Sequence, residues 1–291
     1  MPVTDFFARP APPGFPRQRP FIKMQGLRNH FVFLDERRGA GPPQRDEVVR
    51  ICDVHEGVGA EQVIGIAEPS AAGLAAGARC FMRIYNIDGT EAAACGNATR
   101  CMAALMFEET GCETVAIETV AGVLPCSRAA DGMIGVTLGP IDTRWERVPL
   151  SRAVDTAHLP LTSGPLADGF ALSMGNPHVV FFVPDVDAVD IPTHASAVAA
   201  DPLLPEGANI GVAQVLGPST LRLAVWERPG MLTEACGTGA CAAAFAGRRR
   251  GLLTDDRVSV LLPGGTLKIE LLADGRVVKT GPAEFCFLGY F

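Results

Sequence analysis

The chain has 291 residues, of which 48% are apolar and 20% are charged, and its formal net charge is −7. This length and apolar content are enough for one large domain or two medium domains with buried cores. The acidic balance argues against a nucleic-acid-binding protein, because such proteins usually present a basic surface. No apolar run reaches about 18 residues, so we expect no membrane span.

The first 20 residues contain six prolines and lack the compact apolar segment of a secretory signal. We interpret residues 1–20 as a flexible tail. The chain has nine cysteines, and without an export signal they indicate reduced thiols in the cytoplasm rather than a disulfide framework. The sequence contains no Cys-x-x-Cys or His-x-x-x-His pair, so we expect no bound metal.

In chain order, short runs rich in β-branched and aromatic residues predict strands, and two alanine-rich runs predict helices. Strands are expected at residues 31–34, 63–66, 115–117, 179–182, 221–225 and 258–261. The helices are expected to begin at Gly96 and Gly237, and Asp274-Gly275 predicts a hairpin turn. Many strands with few helices indicate a mixed α/β or α+β chain.

An internal repeat relates the two parts of the sequence. The matching pairs are Asn29 and Asn176, Gln62 and Asn209, Asn86 and Glu227, and Cys95 and Cys236. The members of each pair lie about 140 to 150 residues apart, in the same order, which is the signature of duplicated structural units. The repeat predicts two similar halves, with Cys95 facing Cys236 across a shared cleft.

Cys95 and Cys236 each precede a glycine at the predicted first turn of a helix. Unpaired backbone N–H groups at that turn can hold a carboxylate, and the positive end of the helix dipole lowers a thiol pKa. A thiolate and a thiol on opposite faces of a carbon can remove one proton and return another, which inverts the centre. A single Ala-Cys-Gly is more often structural. The repeated setting favours catalysis for these two cysteines, and the other seven are expected to be structural.

Six ordered motifs between residues 21 and 285 resemble the diaminopimelate epimerase family. They lie at residues 26–29, 57–62, 86–100, 174–178, 209 and 226–241. The resemblance implies an α/β (α+β) fold of two pseudo-symmetric domains, each a strand barrel around a central helix, with the active site in the cleft between them. The domains are expected at residues 21–139 with a C-terminal strand at 282–291, and at residues 140–281.

The resemblance also implies a role for each matched residue. Cys95 and Cys236 would be the catalytic pair, and His178 and Glu227 would tune their protonation. The expected substrate-binding residues are Asn29, Gln62, Asn86, Gly96, Asn97, Asn176, Asn209, Glu227, Arg228, Gly237 and Thr238. Arg228 is suited to holding the distal carboxylate of the substrate.

The implied reaction interconverts LL- and meso-diaminopimelate in lysine and peptidoglycan biosynthesis. The family uses neither pyridoxal phosphate nor a metal, so we expect no cofactor. The expected partners are a small amino-acid substrate and a second copy of the chain in a cytoplasmic homodimer, with no nucleic acid and no membrane.

Three alternative functions are weighed against this one. Arg28 and His30 stand where the family usually has Gly and Asp, so a racemase of the same fold could act on proline, hydroxyproline or a basic amino acid. Such one-carboxylate substrates would not need Arg228. A non-catalytic amino-acid-binding protein is disfavoured because both cysteines are present. A thiol redox protein is disfavoured because no Cys-x-x-Cys motif occurs.

Overall fold

The computed structural model describes residues 2–14, 18–38, 41–92, 95–228 and 230–291. The chain divides into two compact units. The first comprises Met1–Val136 with Gly281–Phe291, and the second comprises Thr137–Thr280. These boundaries lie within a few residues of those expected from the sequence, and the last strand returns to the first unit.

The elements are numbered in chain order. The strands are β1 (Pro20–Gly26), β2 (Asn29–Asp35), β3 (Gln62–Ala67), β4 (Ala78–Asn86), β5 (Glu91–Ala92), β6 (Thr114–Thr119), β7 (Gly122–Arg128), β8 (Ile134–Leu138), β9 (Leu159–Ser163), β10 (Leu166–Ser173), β11 (Pro177–Phe182), β12 (Asn209–Gly217), β13 (Thr220–Glu227), β14 (Met231–Thr233), β15 (Arg257–Leu262), β16 (Gly265–Leu271), β17 (Val277–Gly281) and β18 (Glu284–Tyr290). The helices are α1 (Arg45–Cys52), α2 (Ala71–Ala75), α3 (Gly96–Thr110), α4 (Ile191–Ala199) and α5 (Gly237–Arg249).

The two units share one strand topology. In the first unit, neighbouring strands follow the order β18-β1-β2-β3-β4-β6-β7-β8, and β5 folds back on β4. In the second, the order is β9-β10-β11-β12-β13-β15-β16-β17, and β14 folds back on β13. The parallel pairs β2–β3 and β4–β6 correspond to β11–β12 and β13–β15, and the remaining pairs are antiparallel. The predicted duplication is therefore confirmed by topology.

Each unit surrounds one buried helix. In the first unit α3 contacts β1, β4, β6 and β7, and in the second α5 contacts β10, β11, β12, β13, β15 and β16. Because these strands lie at different positions along each sheet, the sheet must curve around its helix. Buried positions follow one another along both helices, so each is enclosed on nearly all sides. The mixed α/β class with a barrel-like sheet around a central helix agrees with the expectation.

The local sequence predictions hold where the pattern was strong. Each of the six predicted strands lies within an observed strand, and the two alanine-rich helices begin at Gly96 and Gly237. The Asp274-Gly275 turn joins β16 to β17, with Gly275 in the left-handed region at φ 84°. Among the described residues, no helix has the length and apolar character needed to cross a membrane.

Residues Val3–Ala8 differ from the expected flexible tail, because they form a 3₁₀ helix packed on α3 and β1. Phe6 and Phe7 are only 8% and 6% exposed, and the rings of Phe6 and Tyr290 lie 5.0 Å apart. The prediction is wrong here because two adjacent aromatic side chains bury apolar surface that outweighs the extended preference of the flanking prolines. Residues 15–17 lie outside the described part of the chain.

We expect Phe7→Ala to lower the free energy of unfolding by about 3 kcal/mol, because it removes a buried aromatic side chain. Chemical denaturation of the purified protein measures this change. Asp5→Ala is the matched control, since Asp5 lies in the same 3₁₀ helix and is exposed. Equal stabilities for the two variants would mean that the segment does not pack in solution.

Candidate active site

Cys95 is the residue immediately before α3. Its backbone is extended, at φ −146° and ψ 106°. Its carbonyl accepts the first hydrogen bond of the helix from the Thr99 N–H at 3.0 Å, and the Thr99 hydroxyl donates to the same oxygen at 2.9 Å. The N–H groups of Gly96 and Asn97 belong to the first turn, where the helix itself supplies no acceptor. The cysteine is thus held at the positive end of a buried helix.

Cys236 occupies the same position before α5. Its φ is −105° and its ψ is 105°, and its carbonyl accepts the first helical hydrogen bond from the Ala240 N–H at 3.0 Å. Its sulfur lies 3.7 Å from the Thr238 hydroxyl, and the residue is only 3% exposed. Gly237 and Thr238 supply the corresponding first-turn N–H groups.

The protonation of Cys236 differs from the expectation for a thiol at a helix N-terminus. Burial raises the pKa of the Cys236 thiol well above its ordinary value, and the carboxylate of Glu227 acts in the same direction. The Gly239 N–H and the Thr238 hydroxyl lower that pKa by hydrogen bonding to the sulfur. The predicted lowering is therefore wrong for Cys236, because desolvation outweighs the hydrogen bonds.

Four predicted binding residues of the first unit form two amide pairs. Gln62 and Asn86 lie opposite each other on β3 and β4, and the Gln62 amide donates to the Asn86 side-chain oxygen at 3.1 Å. The Asn97 amide donates to the Asn29 side-chain oxygen at 3.2 Å. The second pair connects the first turn of α3 to the start of β2, beside Cys95.

A strained turn positions Asn29. Leu27 and Arg28 connect β1 to β2, and both have positive φ, at 57° and 67°. Two successive left-handed residues define the hairpin turn in which Asn and Gly are preferred, and each other residue there costs about 1–2 kcal/mol. The Arg28 N–H donates to the Gln25 side chain at 2.8 Å, which holds the turn. Arg28 thus occupies a position whose backbone suits glycine.

In the second unit, a chain of polar contacts extends from Cys236 through Thr238. The Asn176 amide donates to the Thr238 hydroxyl at 3.4 Å, and the Asn176 oxygen lies 3.2 Å from His178 Nε2. Burial lowers the pKa of His178 to about 3, and the positive charge of Arg228 acts in the same direction. The imidazole is therefore neutral at neutral pH and acts here as a hydrogen-bonding group.

Asn209 holds Arg228. The buried Asn209 amide donates to the Pro177 carbonyl at 3.2 Å, and its oxygen accepts from the Arg228 N–H at 3.0 Å. The Arg228 guanidinium donates to the Glu206 carbonyl at 2.9 Å while its side chain stays exposed. The guanidinium is thus anchored through one nitrogen on a side chain that is otherwise exposed.

Two residues of this site were not predicted. The Thr233 hydroxyl donates to the Glu227 carboxylate at 2.6 Å. Gly239 has no room for a side chain, because a Cβ there would lie 2.9 Å from Val225 Cγ2 and 3.2 Å from the Cys236 sulfur. Both residues lie inside the second cysteine motif, at residues 226–241. Their position in that motif is the feature of the sequence that could have identified them as site residues.

None of the nine cysteines, all of which lie in the described part of the chain, forms a disulfide. Cys101 and Cys241 are fully buried inside α3 and α5, as their helical positions predicted. Within the described ranges, no group of three or more histidine, cysteine, aspartate or glutamate side chains could hold a metal ion.

Comparison with known proteins identifies the family. The sequence profile described as diaminopimelate epimerase matches residues 21–143 and 170–286. The chain belongs to the diaminopimelate epimerase family. Curated diaminopimelate epimerases of Rhodospirillum centenum and Acidiphilium cryptum are 45% and 44% identical over 271 residues. These alignments cover 93% of this chain and 91% and 95% of the relatives.

Solved structures of low sequence identity share the fold of this family member. A predicted epimerase from Pseudomonas aeruginosa has a TM-score of 0.63 at 14% identity, covering 94% of this chain and 99% of that chain. A hydroxyproline epimerase from Agrobacterium vitis has a TM-score of 0.64 at 14% identity, covering 94% and 92%. At these identities the similarity establishes the fold alone.

We expect Gly239→Ala to destabilise the protein by about 2 kcal/mol and to displace the Cys236 sulfur, because the new methyl group overpacks a closed space. Thermal or chemical unfolding and the alkylation rate of Cys236 measure the two effects. Gly217→Ala is the control, since a Cβ at that position would meet nothing within 4 Å. If Gly239→Ala matched the control in both measurements, the close packing around the sulfur would be incorrect.

Proposed function

We propose that this chain interconverts LL- and meso-diaminopimelate without a cofactor, using Cys95 and Cys236 as an acid–base pair. The observation that carries the proposal is the matched position of the two cysteines. Each precedes the buried helix of its unit, and the two units share one strand topology. Relatives about 45% identical over nearly the whole chain carry the name diaminopimelate epimerase.

In the proposed reaction, one cysteine acts as a thiolate and removes the α-proton, while the other acts as a thiol and returns a proton to the opposite face. The α-carboxylate gains negative charge in the transition state. The first-turn N–H groups of Gly96, Asn97, Gly237 and Thr238 are suited to stabilise that charge, because they are fixed at positive helix ends. The proposed chemistry needs only these groups and the two sulfurs.

The other matched residues are proposed to hold the substrate away from the reacting carbon. They are Asn29, Gln62, Asn86, Asn176, Asn209, Glu227 and Arg228. Arg228 is assigned to the distal carboxylate because its side chain is exposed and a guanidinium carries several donors that suit a carboxylate. Holding the far end fixes which of the two similar ends of diaminopimelate meets the cysteines.

His178 and Glu227 are proposed to act on protonation by different routes. Glu227 raises the Cys236 pKa directly, through its charge and a hydrogen bond. His178 is neutral and contacts Asn176, which in turn contacts Cys236 through Thr238. We therefore propose that His178 orients the Asn176 side chain and does not act on the thiol through its charge.

Incubation of the reduced protein with LL-diaminopimelate in deuterated water tests the reaction. We expect NMR to show meso product with deuterium at the inverted α-carbon, because the returned proton comes from a solvent-exchanged thiol. Cys95→Ala and Cys236→Ala are each expected to abolish this inversion. Cys112→Ala is the control, since Cys112 is an exposed thiol outside the candidate site.

Two outcomes would contradict parts of the proposal. Deuterium incorporation into proline, hydroxyproline or a basic amino acid, but not into diaminopimelate, would support the two-cysteine chemistry and show that the proposed substrate is wrong. Absence of exchange with any of these amino acids would reject the enzymatic function.

We also propose that the chain forms a homodimer in the cytoplasm. Strand β18 pairs only with β1 among the described strands, and its apolar residues Phe285, Phe287 and Leu288 are 48%, 46% and 39% exposed. Exposed apolar side chains gathered on one strand are typical of a protein interface. A second copy of the chain would cover them.

We expect the double variant Phe285→Ser/Phe287→Ser to sediment as a monomer while the unaltered chain sediments as a dimer. Sedimentation velocity measures the two masses. Leu74→Ser provides the control, since Leu74 is an exposed apolar residue on α2. A dimer that survives the double variant would exclude β18 as the interface.

A further inference from the structure

A lysine side chain lies fully inside the second unit. Lys279 is 0% exposed, although lysine is among the residues least often buried. It lies at the middle of β17, where Val277, Lys279 and Gly281 alternate inward. An inward lysine therefore interrupts an otherwise apolar face of the sheet.

The end of this side chain packs against the first turn of α5. A Cβ on Gly237 would overlap Lys279 Nζ and would lie 3.1 Å from Cδ and 3.3 Å from Cε. Gly237 directly follows Cys236, and its N–H belongs to the proposed carboxylate cradle. The glycine thus leaves the space that the lysine occupies beside the candidate catalytic residue.

The first unit also buries a cation near the glycine that follows its cysteine. Arg100 on α3 is 0% exposed, and its guanidinium donates to the Pro282 carbonyl at 3.0 Å and to the Gly96 carbonyl at 3.5 Å. Gly96 follows Cys95 as Gly237 follows Cys236. Arg100 comes from the central helix, whereas Lys279 comes from a strand. The shared topology of the two units therefore does not by itself explain why both units bury a cation near this glycine.

A positive charge at this place would act on Cys236. The groups that shift the thiol pKa through charge or hydrogen bonds are Glu227 on β13 and the Thr238 hydroxyl and Gly239 N–H on α5. Lys279 on β17 packs on Gly237, the residue that follows Cys236. Burial and Glu227 raise the thiol pKa. On the neighbouring strand β16, Ile269 lies opposite Lys279. The charged residues on either side of Ile269, Lys268 and Glu270, point to the opposite face of the sheet from Lys279.

We propose that Lys279 is a positioning residue whose ammonium group, packed on Gly237, stabilises the Cys236 thiolate and the carboxylate bound at the first turn of α5. The proposal deepens the proposed function, because it assumes that Cys236 works as a thiolate. A cation near a thiol favours its charged form. Lys279 thereby offsets the effect of Glu227 on the same sulfur.

Cys236 alkylation tests the charge effect without using the enzymatic activity. In the Cys95→Ala background, the rate of carbamidomethylation at Cys236 would be followed by peptide mass spectrometry from neutral to alkaline pH. We expect Lys279→Met to raise the pH midpoint of this reaction by about one unit, because methionine keeps the length of the side chain and removes its charge. Lys279→Gln is expected to give the same shift with a polar neutral group.

Lys268→Met is the matched control, since it removes an exposed lysine from the adjacent strand. It should leave the midpoint unchanged. Thermal melts establish whether each variant is folded. Because two different neutral substitutions of Lys279 are used, the test can still be made if one of them fails to fold. A midpoint that stays constant in a folded Lys279 variant would overturn the proposal.

Activity supplies the second readout, with both cysteines present. We expect Lys279→Met to lower kcat/KM about tenfold in both reaction directions at neutral pH, with recovery towards alkaline pH. A loss that is equal at every pH would indicate a purely structural role and would reject the proposal. If the unaltered chain fails to epimerise diaminopimelate, the proposed function fails, while the alkylation midpoint still reports whether Lys279 acts on Cys236.

Discussion

The enclosure of α3 and α5 by curved sheets is the constraint on which the rest of the site depends. A helix buried on nearly all sides is held by its packing, so the residue before its first turn has a fixed place and direction. Small residues make this enclosure possible in α5, where Gly239 and the alanines 240 and 242–244 are buried. The sulfur, the first-turn N–H groups and the dipole of each helix are therefore preorganised together.

The shared topology explains why the matching residues occupy matching places. Asn29 opens β2 and Asn176 precedes β11, Gln62 opens β3 and Asn209 opens β12, and Asn86 and Glu227 end β4 and β13. The chemistry of the two sets has nevertheless diverged. The first unit pairs neutral amides, whereas the second combines a buried neutral histidine, a carboxylate and an anchored guanidinium. One framework thus carries different sets of matched side chains near its two cysteines.

Much of this arrangement could be predicted from the sequence, because repetition and periodicity carry the fold. The repeat predicted the duplication, and the start of each alanine-rich run predicted the start of its helix. Strands with mixed composition, such as β7 and β9, gave no clear pattern. The packing of Phe6 and Phe7 was missed because a proline-rich context indicates extended chain, whereas burial depends on distant residues such as Tyr290.

The electrostatics of the site were less accessible to sequence reasoning than its geometry. A helix N-terminus predicts a lowered thiol pKa, but Cys236 is buried, and desolvation reverses the sign. The positive-φ turn at Leu27-Arg28 was equally hidden, since neither residue type favours that backbone. Lys279 could have been noticed as a lysine at an inward position of an alternating strand, but its contact with Gly237 depends on the folded structure.

A reversible two-cysteine reaction places a demand on both sulfurs at once. Each cysteine must act as the base in one direction and as the acid in the other, so the two protonated forms of the pair must lie close in free energy. Burial and Glu227 alone would keep the proton on Cys236 and restrict it to the role of the acid. A buried cation next to Gly237 brings the two forms closer without exposing the sulfur to water. The closed packing fixes the geometry of the site but also raises the Cys236 pKa through burial. On this argument, the buried lysine offsets that rise, so the packing and the lysine act together.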